Sequence, residues 1–493
     1  MDSQLHQQQL HFILFPFMAQ GHMIPMVDMG RMLAQHGVMV TIITTPFNAR
    51  RFQATVARGA DSGLRIKLVE VTFPSDKAGL LNKYENLDMM PSLGLGKEFY
   101  EATFSLQESV EALLEQLTPK PSCIISDMLL PYTANIATKF RIPRISFNGF
   151  SAFCMLLCLC KLRIQDVLDR ITSDFEPFAV PGMPHHVEMS KNQFPDAMAD
   201  LGGFGAKVWA AETVNFGFLI NSFDELEMAY VQELRNLLGC KVWCVGPASL
   251  CNKDNSDKLL RGNNASIDVH QCLEWLNTQQ PGSVIYACLG SICNLTCVQL
   301  IELGLGLEAS GKPFIWVVRS GETTKDLEKW IVEYGFEEKT KERGLVIRGW
   351  APQLFILSHP AVGGFLTHCG WNSILEGICA RKPMVTWPLF GDQFSNEKLA
   401  VQVLKIGVRV GSEVTVRWGE EERIGVLVKK EHVKKAIDQL MDGGTESEER
   451  KKRVQELSEM AKKAISVNGS SFLNMESLIQ DVLQQQSLLT STQ

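Results

Sequence analysis

Short β-branched or aromatic runs alternate with helical stretches twice along this chain, and a polar, glycine-containing segment separates the two series. Residues 11–16, 38–44, 64–71, 122–126 and 144–147 read as strands, with helical patterns over 22–36, 98–117 and 131–140 between them. Strand–helix–strand order requires crossover connections, hence a parallel sheet with helices on both faces. The pattern fades over 161–211 and returns at 215–220 and 241–245. It restarts after a segment rich in Asn, Asp, Lys and Gly, with strands at 283–289, 314–319, 345–349, 364–367 and 384–387. Residues 429–485 read as charged amphipathic helices. The expected fold class is α/β, with two doubly wound parallel-sheet domains facing across a cleft. Their expected bounds are 1–250 and 269–470, with a linker at 251–268 and a C-terminal helix at 471–493. In such sheets ligands sit beyond the carboxyl ends of the strands.

Composition removes several function classes. With 48 Lys and Arg against 55 Asp and Glu, the net charge of −7 gives no general attraction to nucleic acid or to an anionic membrane. The 13 cysteines form no C-x-x-C pair, and the 10 histidines include no H-E-x-x-H, so no metal centre is expected. They read as reduced thiols of a cytoplasmic protein. The apolar run 10–17 is too short for a secretory signal, and 152–160 stops at Lys161, too short to span a bilayer. A soluble monomer without stable membrane insertion is the expectation. No G-x-G-x-x-G follows a strand and no G-x-x-x-x-G-K-[ST] occurs, which argues against a dinucleotide dehydrogenase and a P-loop ATPase.

The residues just past the second series of strands carry the chemistry. In T-H-C-G-W-N-S-I-L-E, residues 367–376, a glycine turn opens a helix and leaves backbone N–H groups free at Trp371, Asn372 and Ser373. With the helix dipole these make an anion site, to which His368 and Ser373 add side-chain donors. Glu376 stands on nearly the same face as Asn372, about 6 Å further along the axis. A carboxylate there suits a vicinal diol, so phosphate at the helix mouth and diol one turn on describe a nucleotide with its ribose. Trp350 offers a ring for a base, and Asp392 and Gln393 offer an acceptor and a donor for sugar hydroxyls. Taken singly, each has a plainer reading as core residue, cap or surface charge; together they occupy one window, residues 350–393.

That window, from W-A-P-Q through H-C-G-W-N-S to G-D-Q, resembles the signature box of the plant secondary-product UDP-glycosyltransferases of glycosyltransferase family 1. Similarity runs over nearly the whole chain, starting with H-F-I-L-F-P-F-M-A-Q-G-H-M-I-P-M. The resemblance implies a GT-B fold of two Rossmann-like domains, acceptor bound by the first, UDP-sugar by the second, with the last helix packed back on the first. It implies that Trp350 stacks on uracil, Ala351 meets it through backbone, and Gln353 and Glu376 hold the ribose. Ser291, His368, Asn372 and Ser373 would bind the diphosphate, and Trp371, Asp392 and Gln393 the sugar. A terminal Gln of the box implies glucose, where His would imply galactose. UDP-sugar is then a co-substrate and no cofactor is expected, in keeping with the lack of any Asp-x-Asp pair. Where the family usually has Gly two residues before Pro383, this chain has Arg381. If that position needs φ > 0, the cost is about 1 kcal/mol, with altered turn geometry expected rather than lost activity.

The first half supplies a base. His22 follows the first strand at the mouth of the next helix, and Asp127 ends another strand of the same sheet, in C-I-I-S-D-M-L-L-P. An imidazole can take a hydroxyl proton at neutral pH, with a carboxylate fixing its tautomer. On the residues alone, a helix cap at His22 and an N-cap at Asp127 stay open. The resemblance assigns the matching pair to catalysis: His22 deprotonates an acceptor hydroxyl that displaces UDP from UDP-α-glucose with inversion, giving a β-glucoside. Segments 80–99, 147–162 and 185–204, rich in Met, Phe, Leu and Gly, read either as core or as walls of a pocket for a flat hydrophobic alcohol. The early motifs and the G-D-Q ending resemble a clade acting on triterpenoids, steroids, flavonoids and cytokinins. A triterpenoid or steroid acceptor is favoured, with a flavonoid or cytokinin as alternative, and a non-catalytic UDP-sugar-binding protein as the competing reading of another class.

Overall fold

The computed structural model describes residues 10–72, 84–90, 92–195, 203–292, 295–319 and 325–491. The first series of strands, β1 (His11–Phe15), β2 (Met39–Thr44), β3 (Ile66–Glu70), β4 (Cys123–Asp127) and β5 (Arg144–Asn148), leads to a small antiparallel pair, β6 (Phe178–Ala179) and β7 (Glu188–Met189). Then β8 (Gly217–Ile220) and β9 (Lys241–Cys244) complete a seven-stranded parallel sheet in the order β3-β2-β1-β4-β5-β8-β9. The second series, β10 (Val284–Cys288), β11 (Phe314–Val318), β12 (Gly344–Arg348), β13 (Val362–Thr367), β14 (Met384–Thr386) and β15 (Gly407–Arg409), forms a six-stranded parallel sheet, β12-β11-β10-β13-β14-β15. Every residue of β1, β4 and β5 is buried, as a strand covered on both faces requires. The two-sheet α/β architecture is therefore the one the alternation implied.

Strand order reverses between β1 and β4 in the first sheet and between β10 and β13 in the second. These are the points where crossovers leave to opposite sides and a crevice opens at the carboxyl edge. His22 follows β1 and Asp127 ends β4; Ser291 follows β10 and His368 follows β13. Sequence neighbours in neither pair, they become spatial neighbours through topology.

The single helix expected over 98–117 is two, Gly96–Thr103 and Leu106–Gln116. The hydroxyls of Thr103 and Ser105 donate to the carbonyls of Tyr100 and Ala102, competing with the helical ladder where it breaks. The fading stretch after residue 161 holds the helices Gln165–Arg170 and Phe204–Glu212 around the small β6–β7 pair. The segment between the sheets folds as a helix, Asn255–Leu260, strapped to the first lobe: Arg31 donates to Asp257 at 2.8 Å and Thr55 to the Leu260 carbonyl at 2.9 Å. The last helix, Ser470–Ser491, lies against β9, with Asn474 donating to the Cys244 carbonyl at 3.0 Å.

The helix Trp371–Cys379 closes without the expected change of turn. Arg381 itself takes φ +60°, and the N–H groups of Arg381 and Lys382 donate to Ile378 at 3.0 Å and Gly377 at 2.9 Å, as in a glycine-ended helix. The left-handed backbone costs a residue with a Cβ about 1–2 kcal/mol; against this stand the extra chain entropy of glycine, about 0.5–1 kcal/mol, and an exposed pair with Glu459 that contributes little. Arg381→Gly is therefore expected to raise stability by about 0.5 kcal/mol, read as a higher thermal midpoint; a lower midpoint would show that the Glu459 pair outweighs the strain.

Candidate active site

The first lobe presents an imidazole. The helix Gln20–Gln35 opens directly after β1 with Ala19 as its N-cap and no side-chain cap, so His22 is free of capping duty. Its Nδ1 meets Asp127 Oδ2 at 2.7 Å. Asp127 is fully buried, and its other oxygen accepts the Leu129 N–H at 3.0 Å, so it shapes its own turn and holds the imidazole. With the proton on Nδ1 donated to the carboxylate, Nε2 is left as the acceptor. Phe17 packs edge-on to the ring at 5.4 Å, and Gly149 lies so close that a Cβ there would stand 3.5 Å from Nδ1. Burial disfavours the imidazolium, but the charge and hydrogen bond of Asp127, with the charge of Asp392 from the other lobe, outweigh it and raise the His22 pKa. Asp392 is itself pushed up to about 6 by burial, against hydrogen bonds from Asn396 and the Trp371 backbone.

The second lobe presents a helix mouth. Gly370 begins Trp371–Cys379 without a side-chain cap, leaving the first-turn N–H groups without partners inside the helix. His368 sits between two glycine turns: a Cβ at Gly290 or Gly370 would come within 2.6 Å of its Nε2. Burial lowers its pKa to about 4, so it is a neutral imidazole, and its buried Nδ1 has no partner among the described residues. Gln353 donates to Glu376 Oε2 at 2.8 Å and to Ser373 Oγ at 3.3 Å. Trp350 is half-buried against Gly262 and Ile24, its backbone tied to Ser266 and its Nε1 without a partner among the described residues.

His22, Ser291, Trp350, Ala351, Gln353, His368, Trp371, Asn372, Ser373, Glu376, Asp392 and Gln393 all border one cavity of about 880 Å³, with Asp127 directly behind His22. Several of their side chains do work other than that expected of them. The Trp371 ring is buried and its Nε1–H donates to the Asn221 carbonyl at 2.8 Å, leaving its backbone N–H for Asp392. Asn372 donates to the Gly21 carbonyl at 2.6 Å, reaching the first lobe beside His22. The Gln393 carbonyl accepts the N–H groups of Leu389 at 2.9 Å and Phe390 at 3.2 Å, so only its amide NH₂ remains for a ligand.

Two residues at the site carry no motif. Asn221, just past β8, receives the Trp371 indole and donates to Asn372 at 3.3 Å; the strand-end rule that singled out the others reaches it too. Arg261, from the segment between the sheets, borders the cavity and ion-pairs with Glu376, and nothing in its local sequence marks it. Phe17, Leu87, Leu93, Tyr100, Phe150 and Phe194 border the same cavity and give it an apolar wall. The segments 80–99, 147–162 and 185–204 thus supply wall and core alike, Phe153 and Leu157 being buried, while residues 80–83, 91 and 196–202 lie outside the described residues. Among the described residues no helix is long and apolar enough to cross a membrane.

A polar cradle with a half-buried indole at one end suits a nucleotide base on Trp350. Trp350→Ala is expected to weaken nucleotide binding by about 1–3 kcal/mol, a loss of roughly 5- to 150-fold, measured by titration calorimetry; unchanged affinity would place the base elsewhere.

Two family models match the chain: "Glycosyltransferase, N-terminal domain" over residues 8–249 and "UDP-glucoronosyl and UDP-glucosyl transferase" over residues 262–440. The chain is 52% identical over 479 residues to UDP-glycosyltransferase 73C6 of Arabidopsis thaliana and equally to UDP-glycosyltransferase 73C11 of Barbarea vulgaris, covering 96% of this chain and 97% of each relative. Among solved structures it resembles Glycyrrhiza uralensis UGT73P12 complexed with glycyrrhetinic acid 3-O-monoglucuronide, with a TM-score of 0.90, 39% identity and 98% of both chains covered. It also resembles Medicago truncatula UGT71G1 complexed with UDP-glucose, with a TM-score of 0.76, 26% identity and 96% of this chain and 98% of that one covered.

Proposed function

This chain belongs to the plant UDP-glycosyltransferases of the GT-B fold, and from that membership we propose that it transfers glucose from UDP-glucose to a hydroxyl of a triterpenoid or steroid, with inversion, giving a β-O-glycoside. The observation that carries the reading is that the His22–Asp127 pair and the helix mouth at Gly370, which follow strands of different sheets, meet at one cavity. An acceptor hydroxyl seated against the apolar wall gives its proton to His22 Nε2 as its oxygen attacks the anomeric carbon. Asp127 stabilises the imidazolium that forms. The bond to the diphosphate breaks on the far side, and the charge that grows on UDP meets the helix N–H groups and the neutral imidazole of His368, which needs no divalent ion in this reading. In this reading Asp392 and the Gln393 amide hold the hydroxyls of the sugar.

The apolar wall and the likeness to a structure holding a triterpenoid glucuronide support the acceptor class; the Gln393 ending supports glucose. The reaction belongs in the cytoplasm, where the free thiols of the chain stay reduced. A panel of triterpenoid, steroid, flavonoid and cytokinin acceptors with UDP-glucose, UDP-galactose and UDP-glucuronate tests all three parts. The expected result is highest kcat/KM for UDP-glucose with a triterpenoid or steroid. Preference for another sugar or acceptor class overturns that part of the reading, and UDP binding with no product from any pair makes the protein a nucleotide binder.

A further inference from the structure

Glu376, the carboxylate set one turn inside the helix mouth, is only 3% exposed, and a charge so far out of water needs a partner. It has two. Arg261 Nη1 donates to Oε1 at 2.5 Å and Gln353 Nε2 to Oε2 at 2.8 Å. The same guanidinium donates through Nε to Asp28 Oδ2 at 2.7 Å, on the first helix of the other lobe, and Asp28 in turn accepts from Asn252 at 2.9 Å. Arg261 thus joins one carboxylate from each lobe while standing in the cavity wall.

A carboxylate offers about four acceptor positions, two on each oxygen. With one on each oxygen taken by Arg261 and Gln353, one on each remains, and a vicinal diol needs two acceptors side by side. A planar guanidinium also fixes the plane of the carboxylate it grips, as a flexible ammonium does not. We propose that Arg261 is a positioning residue of the nucleotide site, holding Glu376 so that its two open acceptor positions face the 2′- and 3′-hydroxyls of the ribose and tying that geometry to the first lobe through Asp28. This rests on the reading of the cavity as a UDP-sugar site. Asp28 and Arg261 then belong to ribose recognition although neither reaches the ribose.

The test compares UDP with 2′-deoxy-UDP by calorimetry on the full chain. The wild type is expected to prefer UDP by tenfold or more. In Arg261→Met, UDP should bind about tenfold more weakly and 2′-deoxy-UDP much less so, narrowing the preference, with KM for UDP-glucose rising more than kcat falls. Arg261→Lys keeps the charge but spans only one of the two carboxylates, and should narrow the preference by about threefold. If Arg261→Met leaves two buried carboxylates that prevent folding, Arg261→Lys carries the comparison. A preference unchanged in the folded variants, or both nucleotides weakened equally, overturns the proposal. A wild type that binds no UDP would instead overturn the reading of the site.

Discussion

His22→Ala is expected to lower turnover by roughly 10²–10⁴-fold while UDP affinity changes by less than about threefold. The two effects separate because the imidazole and the nucleotide cradle come from different sheets. His22 is fixed by Asp127 and the Phe17 ring, whereas among the described residues Trp350, Gln353 and Glu376 are tied to Ser266, Ser373 and Arg261. Single-turnover transfer and UDP calorimetry on the same preparation read the two halves independently. Near-normal turnover in this variant would reject the assignment of the base.

Asp127→Asn is expected to cost on the order of 10²-fold or more in turnover and to move the acid limb of the pH–rate profile to lower pH. Only the neutral imidazole accepts a proton, so activity is lost as pH falls through the His22 pKa, which stands above the ordinary value of 6.5. Removing the Asp127 charge takes away the largest influence that raises it, while burial, which lowers it, stays. The limb therefore shifts toward acid although the enzyme is slower, because an amide neither stabilises the imidazolium nor enforces the Nδ1–H tautomer. Asp392→Asn should shift the limb in the same direction by less, since Asp392 acts on His22 through charge alone. A limb that stays fixed in Asp127→Asn would mean that another group titrates.

What the sequence made legible follows from periodicity and from strand ends. The β-branched or aromatic runs of β1, β4, β10 and β13 are bounded by turns, and each delivers a candidate site residue at or just past its carboxyl end, where chain topology alone brings distant residues together. β15 carries no such signal, since Gly-Val-Arg joins one apolar residue to a glycine and a charge, whereas β14, equally short, reads Met-Val-Thr. Arg261 was not marked either: a lone arginine in a polar segment has no spacing to read, and its meaning comes from carboxylates far away in the chain, Asp28 and Glu376. The motif letters also did not say which atom of a residue does the work. Trp371 turns its indole to Asn221 and its backbone to Asp392, and Gln393 spends its carbonyl on the backbone of its own loop. Such choices are settled by which buried donors need an acceptor nearby, and that is information about packing.

The stereochemistry of transfer bears most directly on the proposal that His22 from one lobe and the helix mouth from the other serve as base and leaving-group site. The glycoside made from UDP-α-glucose is to be taken early in the reaction and its anomeric proton read by NMR. A single displacement, with His22 on one side and the diphosphate on the other, yields only the β-anomer, with its large diaxial coupling. An α-linked product would mean two displacements or attack from the side of the leaving group, and would contradict the arrangement of the two lobes as a base facing a held pyrophosphate.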